Sequence, residues 1–169
     1  MTSVGVVDAL ATGRLAPARD ITFEYVALTQ GEAGFAVPQD IAALPEPLRA
    51  VLDSLAERHR PPGTLLLAPL DDIVGGTVAM QRSWLTTGTD AVVQRLYVRE
   101  VFRRRGIART LMATVHGIAA REGFRRLLLN VMSSRTAALA CYDVLGYVPL
   151  TESLDWPYGG VWLCRDINS

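Results

Sequence analysis

The chain of 169 residues is poor in cysteine and histidine, with Cys141 and Cys164, His59 and His116 as its whole supply. Two thiols are too few for a disulfide framework, and both lie in apolar segments, which predicts buried thiols in a reducing compartment. Neither histidine stands at ligand spacing from a cysteine, so no metal site is expected. Net charge is also missing, with 17 basic residues against 17 acidic ones, which disfavours a nucleic-acid binder working through a general basic field. No apolar run approaches the ~20 residues needed to span a bilayer. Near the N-terminus Asp8 appears, and no basic region precedes a long apolar core, unlike a signal peptide. A cytoplasmic protein, free of membrane, is expected. There is no internal repeat, low-complexity tract or linker.

What is present is a core-forming composition, 50% hydrophobic over a length suited to one domain. The stretch from Val92 to Tyr147 organises it. Val92 to Val98 is rich in β-branched and aromatic residues and predicts a strand. Ile107, Leu111, Val115 and Ile118 recur at helical spacing and predict a helix. Between them lies the basic turn Arg103-Arg104-Arg105-Gly106, followed by Ile107, Ala108, Arg109 and Thr110. A helix's first turn offers unpaired N–H groups and the positive end of its dipole, and so binds anions. Gly106 leaves no Cβ in the way, and the arginines add formal charge. The turn predicts a phosphate or diphosphate seat. It is not a P-loop, which needs Lys-Ser or Lys-Thr after its last glycine, nor a dinucleotide fingerprint, which needs three glycines.

Downstream, Leu127 to Met132 predicts a second buried strand. Thr136 to Tyr147 predicts a short helix stopped by Gly146. Arg103-x-x-Gly106-x-Ala108 resembles the (Gln/Arg)-x-x-Gly-x-(Gly/Ala) signature of the GNAT superfamily of N-acetyltransferases. Ala138, Tyr142, Gly146 and Tyr147 are similarly placed to the superfamily's second signature, Asn-x-x-Ala-x-x-x-Tyr followed by Gly-Phe or Gly-Tyr. The two stand in the superfamily's order and spacing and cover about a third of the chain.

Elsewhere, residues 1–19 read as a loose N-terminal arm, disordered or packed on a partner subunit, ahead of one domain over 20–169. Ile21 to Leu28 predicts a first strand. Asp40 to Arg60 predicts a helix with the stripe Leu48, Val51, Leu52 and Leu55, ended by Pro61-Pro62-Gly63. Thr64 to Ala68 and Ile73 to Gln81 predict a hairpin through Asp71-Asp72. Tyr147 to Leu150 and Val161 to Asp166 predict closing strands. The order β, α, βββ, α, β, α, ββ gives an α+β fold with a mixed, largely antiparallel central sheet flanked by helices. Resemblance to the GNAT fold implies that its two central strands splay apart.

The resemblance also implies roles. Acetyl-CoA would be the co-substrate, with no metal. The backbone of Leu96, Tyr97 and Val98 would pair with the pantetheine arm as an added strand. The amides of Arg104 to Thr110 would hold the diphosphate, with Arg103, Arg104 and Arg105 near the adenosine 3′-phosphate. Tyr142 would be the general acid that protonates the departing thiolate. Two departures stand out. Asn130 occupies the strand position where several relatives carry a glutamate base, and an amide cannot accept an ammonium proton; it would orient substrate or thioester. Arg135 replaces the helix's usual opening asparagine, beside Ser133 and Ser134. Arg135 and Ala138 are counted with the cofactor site. Candidate bases are Asp90, Glu24, Glu100, His59 and His116. Trp84, Trp156, Tyr158, Trp162, Asp155 and Glu152 are candidates for the acceptor site, a small-molecule or peptide amine. Rival expectations are a non-catalytic acyl-CoA binder, which the missing glutamate favours, and an arginine-led nucleic-acid-binding module. A homodimer, common in the superfamily, is left open.

Overall fold

The computed structural model describes residues 4–167. In chain order it contains β1 (Val7–Asp8), α1 (Leu15–Glu32), α2 (Glu46–Asp53), α3 (Leu55–His59), β2 (Thr64–Leu70), β3 (Ile73–Arg82), β4 (Asp90–Val98), α4 (Ile107–Arg121), β5 (Arg126–Val131), α5 (Thr136–Val144), β6 (Val148–Pro149) and β7 (Val161–Asp166). The strands form one seven-stranded sheet in the order β1-β2-β3-β4-β5-β7-β6. All neighbours are antiparallel except β4 and β5. The mixed, largely antiparallel sheet with flanking helices is as the sequence predicted.

The first strand was expected in the wrong place. Residues 21–28 lie inside the 18-residue helix α1. Ile21, Phe23 and Tyr25 alternate like a strand, but Ala18, Ile21, Thr22 and Val26 are buried together at helical spacing. Packing of that stripe against Leu65, Leu67 and Ala79 of the sheet overrides the β preference of the individual residues. The edge strand is instead β1, paired with Leu66 and Leu67. Residues 7–19, expected to be part of an arm, therefore contribute a strand and the first turn of α1, where Pro17 is tolerated. The predicted helix over 40–60 is broken at Ser54, whose hydroxyl donates back to the Ala50 carbonyl at 2.6 Å.

On the other face, α4 packs Ile107, Leu111, Met112, Val115 and Ala119 against β2, β3, β4 and β5. The placement that matters most is between β4 and β5. They pair in parallel only over Asp90–Val92 and Arg126–Leu128. Beyond that, β4 pairs with β3 alone and β5 with β7 alone, so the sheet opens as a V. The closed end is clamped by Arg126, which donates to Asp90 at 2.7 Å and to Glu152 at 2.5 Å. Asp90 is almost wholly buried there.

Candidate active site

The open end of the V is a cavity of about 800 Å³. One wall is β4 from Leu96 to Val98, whose β5 side has no strand partner. A second is the corner from Phe102 to Arg109, and a third is the start of α5. The roof comes from α1 through Tyr25, Leu28 and Glu32; the sequence predicted a strand for the first two and no helix reaching the third.

At the corner, Arg104 and Gly106 both adopt left-handed backbone, with φ of 64° and 75°. These dihedrals turn the chain from strand to helix within a few residues, which is the reason a glycine stands at 106. No side chain caps the start of α4. Among the described residues, the N–H groups of Arg104 to Arg109 have no acceptor, and Thr110 is the first to bond, to the Gly106 carbonyl at 3.0 Å. A row of unpaired amides at a helix start thus faces the cavity, flanked by Arg103, Arg104 and Arg109. Arg103 also donates to the Val98 carbonyl at 3.0 Å, tying the corner to the strand. Two residues expected in the seat lie outside the lining. The guanidinium of Arg105 sits 5.6 Å from the Phe102 ring centroid, and the Thr110 hydroxyl donates to Gly106 at 3.0 Å.

On α5, Arg135, Ala138, Cys141 and Tyr142 line the cavity. Tyr142 is 8% exposed, and burial pushes its phenol far above its ordinary value of 10, the neighbouring phenol of Tyr25 and thiol of Cys141 adding to the rise and the charge of Arg135 opposing it. Its hydroxyl makes no hydrogen bond among the described residues. Arg135 fastens the roof: it donates to Glu32 at 2.5 Å, to Thr29 at 3.1 Å and to the Tyr25 hydroxyl at 3.2 Å. Glu32, the sole carboxylate of the lining, is therefore engaged. Cys141 and Cys164, expected to be buried, are both part-exposed; burial still raises each thiol.

Asn130 is not brought to this cavity. Its amide donates to the Gly159 carbonyl at 3.1 Å, holding the loop ahead of β7. That loop carries Trp156, which stands edge-on to Tyr158 and Trp162 at 5.0 and 5.4 Å. Trp162 Nε1 is enclosed without a partner. Trp84 lies apart and half exposed in the β3–β4 turn, Asp155 is exposed, and Glu152 belongs to the clamp.

The candidate bases are mostly occupied. Asp90 holds Arg126 at the closed end of the V. Glu24 is gripped by Arg99 at 2.6 to 3.1 Å, and Glu100 is exposed in a short turn. His59 is fully buried, bonded to the Met80 carbonyl at 3.2 Å and Arg95 at 3.0 Å; burial, then the charge of Arg95, lowers it to about 4. His116 bonds Tyr147 at 2.9 Å and Arg165. Burial and then Arg165 lower it to about 4 as well. Neither imidazole is free to take a proton at neutral pH.

A sequence model of the acetyltransferase (GNAT) family matches residues 34–147. Thialysine N-epsilon-acetyltransferase of Caenorhabditis elegans is 41% identical over 64 residues. That stretch is 38% of this chain and 40% of the relative, so well under half of the relative's length is matched. Among solved structures, a GNAT-family acetyltransferase of Staphylococcus aureus Mu50 superposes with a TM-score of 0.76 at 12% identity, covering 98% of this chain and all of that one. PaiA N-acetyltransferase of Thermoplasma acidophilum, solved in complex with coenzyme A, superposes with a TM-score of 0.67 at 14% identity over 98% and 99% of the two chains. At such identities the structural likeness establishes the fold. Among the described residues, no helix is long and apolar enough to cross a membrane.

Proposed function

Because the chain belongs to the acetyltransferase (GNAT) family and is an acyltransferase, we propose that it moves the acetyl group of acetyl-CoA directly to a primary amine, with Tyr142 as general acid. One observation carries the proposal: the unpaired amides of the arginine corner and the protonated phenol of Tyr142 open into the same cavity. The name of the C. elegans relative specifies an ε-nitrogen, which supports an amine as acceptor.

The residues present fit coenzyme A. The amides of Arg104 to Arg109 suit a diphosphate, with Arg103, Arg104 and Arg109 supplying positive charge. The side of Leu96 to Val98 without a strand partner suits an amide-containing arm, which needs N–H and C=O groups to pair with; the Val98 carbonyl there already accepts from Arg103. Ala138 keeps the α5 wall low, and Arg135 at the start of α5 ties that wall to α1. Acetyl-CoA supplies an acetyl carbonyl activated as a thioester.

The acceptor's neutral nitrogen attacks the carbonyl carbon, and the C–S bond breaks. Tyr142 gives its hydroxyl proton to the sulfur. The nitrogen then sheds a proton, which returns to the phenolate by way of solvent. A phenol raised by burial is a weak acid toward a free thiolate of pKa ~8.5. The same dry surroundings raise the thiol, however, so the two come closer together than in water. No side chain is assigned as base; the acceptor loses its ammonium proton to water before binding. Asn130 acts in this scheme through Gly159, ordering the loop on the acceptor side.

Release of free CoA from acetyl-CoA in the presence of an amine panel, with the acetylated amine identified by mass spectrometry, is the test. Tight acetyl-CoA binding with no release from any amine would mark a binding domain without turnover and remove the proposal.

A further inference from the structure

Tyr142 reaches the cavity with a hydroxyl that no described residue holds. The placing of its phenol therefore depends on what its ring and backbone rest upon. Both rest on Tyr147, whose ring stands edge-on to that of Tyr142 and whose N–H donates to the Tyr142 carbonyl. Tyr147 is only 3% exposed. A phenylalanine would fill the same volume and need no partner, whereas a buried phenol does. The partner is His116 of α4, whose Nε2 lies 2.9 Å from the Tyr147 hydroxyl and whose ring lies 5.8 Å from the Tyr147 ring.

His116 is held in turn. The guanidinium of Arg165, on β7, bonds its Nδ1. A guanidinium can only donate, so Nδ1 must accept. The single hydrogen of the neutral ring then sits on Nε2 and is donated to the Tyr147 oxygen. Arg165 is fixed at its root by the pairing of β7 with β5, where it faces Leu127. Its stem runs beside the end of α5, with 3.6 Å between Arg165 Nε and the place a Cβ would take on Gly146. So β7, α4 and the turn after α5 meet at one imidazole. Neither Arg165, His116 nor Tyr147 lines the cavity, and whatever they do for a bound molecule they do through Tyr142.

We propose that His116, oriented by Arg165, is a positioning residue for acetyl transfer: by holding the Tyr147 hydroxyl it fixes the surface against which Tyr142 presents its phenol to the thioester sulfur. The constraint is mechanical and carries no proton, because the Tyr142 hydroxyl bonds to none of the three. Its reach matters because a reacting group misplaced by ~1 Å can lose about 100-fold in rate. His116, a candidate base on sequence grounds, instead acts behind the acid. The catalytic consequence rests on the general-acid role proposed for Tyr142; the ordering of the Tyr142 ring by His116 does not.

The test uses the full chain with CoA bound. Isotope-labelled tyrosine gives five ring signals, that of Tyr142 being the one lost in Tyr142→Phe. Tyr147→Phe keeps the ring and removes the bonded hydroxyl, His116→Leu removes the donor, and His116→Gln returns an amide N–H close to the place of Nε2. In the first two, the Tyr142 signal should shift and broaden. With the amine that releases CoA fastest in the panel above, kcat should fall about tenfold at unchanged acetyl-CoA KM. His116→Gln should recover most of both. In a Tyr142→Phe background His116→Leu should cost no further kcat, because residues acting as a unit are not additive. Tyr147→Phe, which barely changes volume, decides the matter should His116→Leu fold poorly. An unchanged Tyr142 signal in both variants, or a kcat loss of equal size with and without the Tyr142 hydroxyl, would overturn the assignment. A Tyr142 signal that moves in Tyr147→Phe, with wild-type turnover in Tyr142→Phe or no CoA release from any amine, would uphold the ordering of the ring and reject the general acid. Loss of turnover in Tyr142→Phe, with signal and kcat indifferent to His116 and Tyr147, would do the reverse.

Discussion

The ring of Tyr147 stands edge-on to that of Tyr142 at 5.7 Å, and its backbone N–H donates to the Tyr142 carbonyl at 3.0 Å. Both contacts come from the way α5 ends. Gly146, at φ 84°, donates to Asp143 at 3.0 Å, and the chain reverses so that the residue after the glycine folds back on the last turn. A helix cap thus sets the position of the phenol assigned as general acid.

Gly146→Ala is therefore expected to do two things at once. Holding an alanine in left-handed backbone costs about 1 kcal/mol, which a fall in Tm would register. The displaced cap would also shift Tyr147 and loosen Tyr142, so kcat should fall while the KM for acetyl-CoA holds. A Tm loss with unchanged kcat would show that the cap does not position the phenol.

Tyr142→Phe removes only the hydroxyl from a site that burial has already made apolar. Stability and acetyl-CoA affinity should stay near wild type, because that hydroxyl has no protein partner. Loss of a general acid typically costs about 100-fold or more in rate. Single-turnover CoA release separates this chemical loss from any change in product release.

At the arginine corner the expected loss is in binding. Arg104→Asn keeps a residue that tolerates positive φ and removes one charge, and Arg109→Ala removes another. Each should raise the KM for acetyl-CoA by about tenfold, the scale of one charge-assisted hydrogen bond. Acceptor KM and kcat should hold. The penalty should shrink as salt rises, since these side chains are exposed and screened.

The corner was legible in the sequence because its physics is local: glycine, arginines and the helix's first turn are contiguous. The same holds for Gly146 and Tyr142. The clamp of Asp90 on Arg126 and the bond of Asn130 to Gly159 join residues about thirty positions apart, and no local pattern announces them. Arg95, at φ 55° within β4, is a sharper case. Its bulge exists only as a mismatch in register between two strands, so Gln94-Arg95-Leu96 looks like ordinary strand until β3 is laid beside it. Tyr25 was missed for a different reason, and Glu32 with it because no helix was expected to reach residue 32. Alternation in Ile21, Phe23 and Tyr25 hid a helical stripe whose packing partners lie on the sheet.

The buried His59 and the half-buried His116 give the fold an acid limit. His59 is lowered from 6.5 to about 4, so the unfolded chain binds its proton first as pH falls. Its contribution is complete above pH 6.5 and is lost progressively toward pH 4, amounting to roughly 3 kcal/mol. His116 shifts in the same direction. Urea midpoints should be flat above neutrality and fall steeply between pH 6.5 and 4. His59→Gln should flatten part of that slope, although its loss of the Arg95 bond lowers stability at every pH.

Turnover should have a different pH dependence, set by the acceptor. Attack requires the free amine, and every carboxylate proposed as base is either in an ion pair or exposed away from the cavity lining. The two imidazoles are already neutral well below pH 6 and so contribute no change between pH 6 and 8. With neither imidazole changing charge in that range, log kcat/KM should rise with unit slope until it reaches the acceptor's own pKa. That point lies near ~8 for an α-amine and near ~10 for an ε-amine. Replacing one acceptor by another of lower basicity should move the inflection by the difference in their pKa values. An inflection fixed between pH 6 and 7 for every acceptor would instead reveal a protein base. Its disappearance on substituting Glu24 or Glu100, one at a time, would then identify which carboxylate serves.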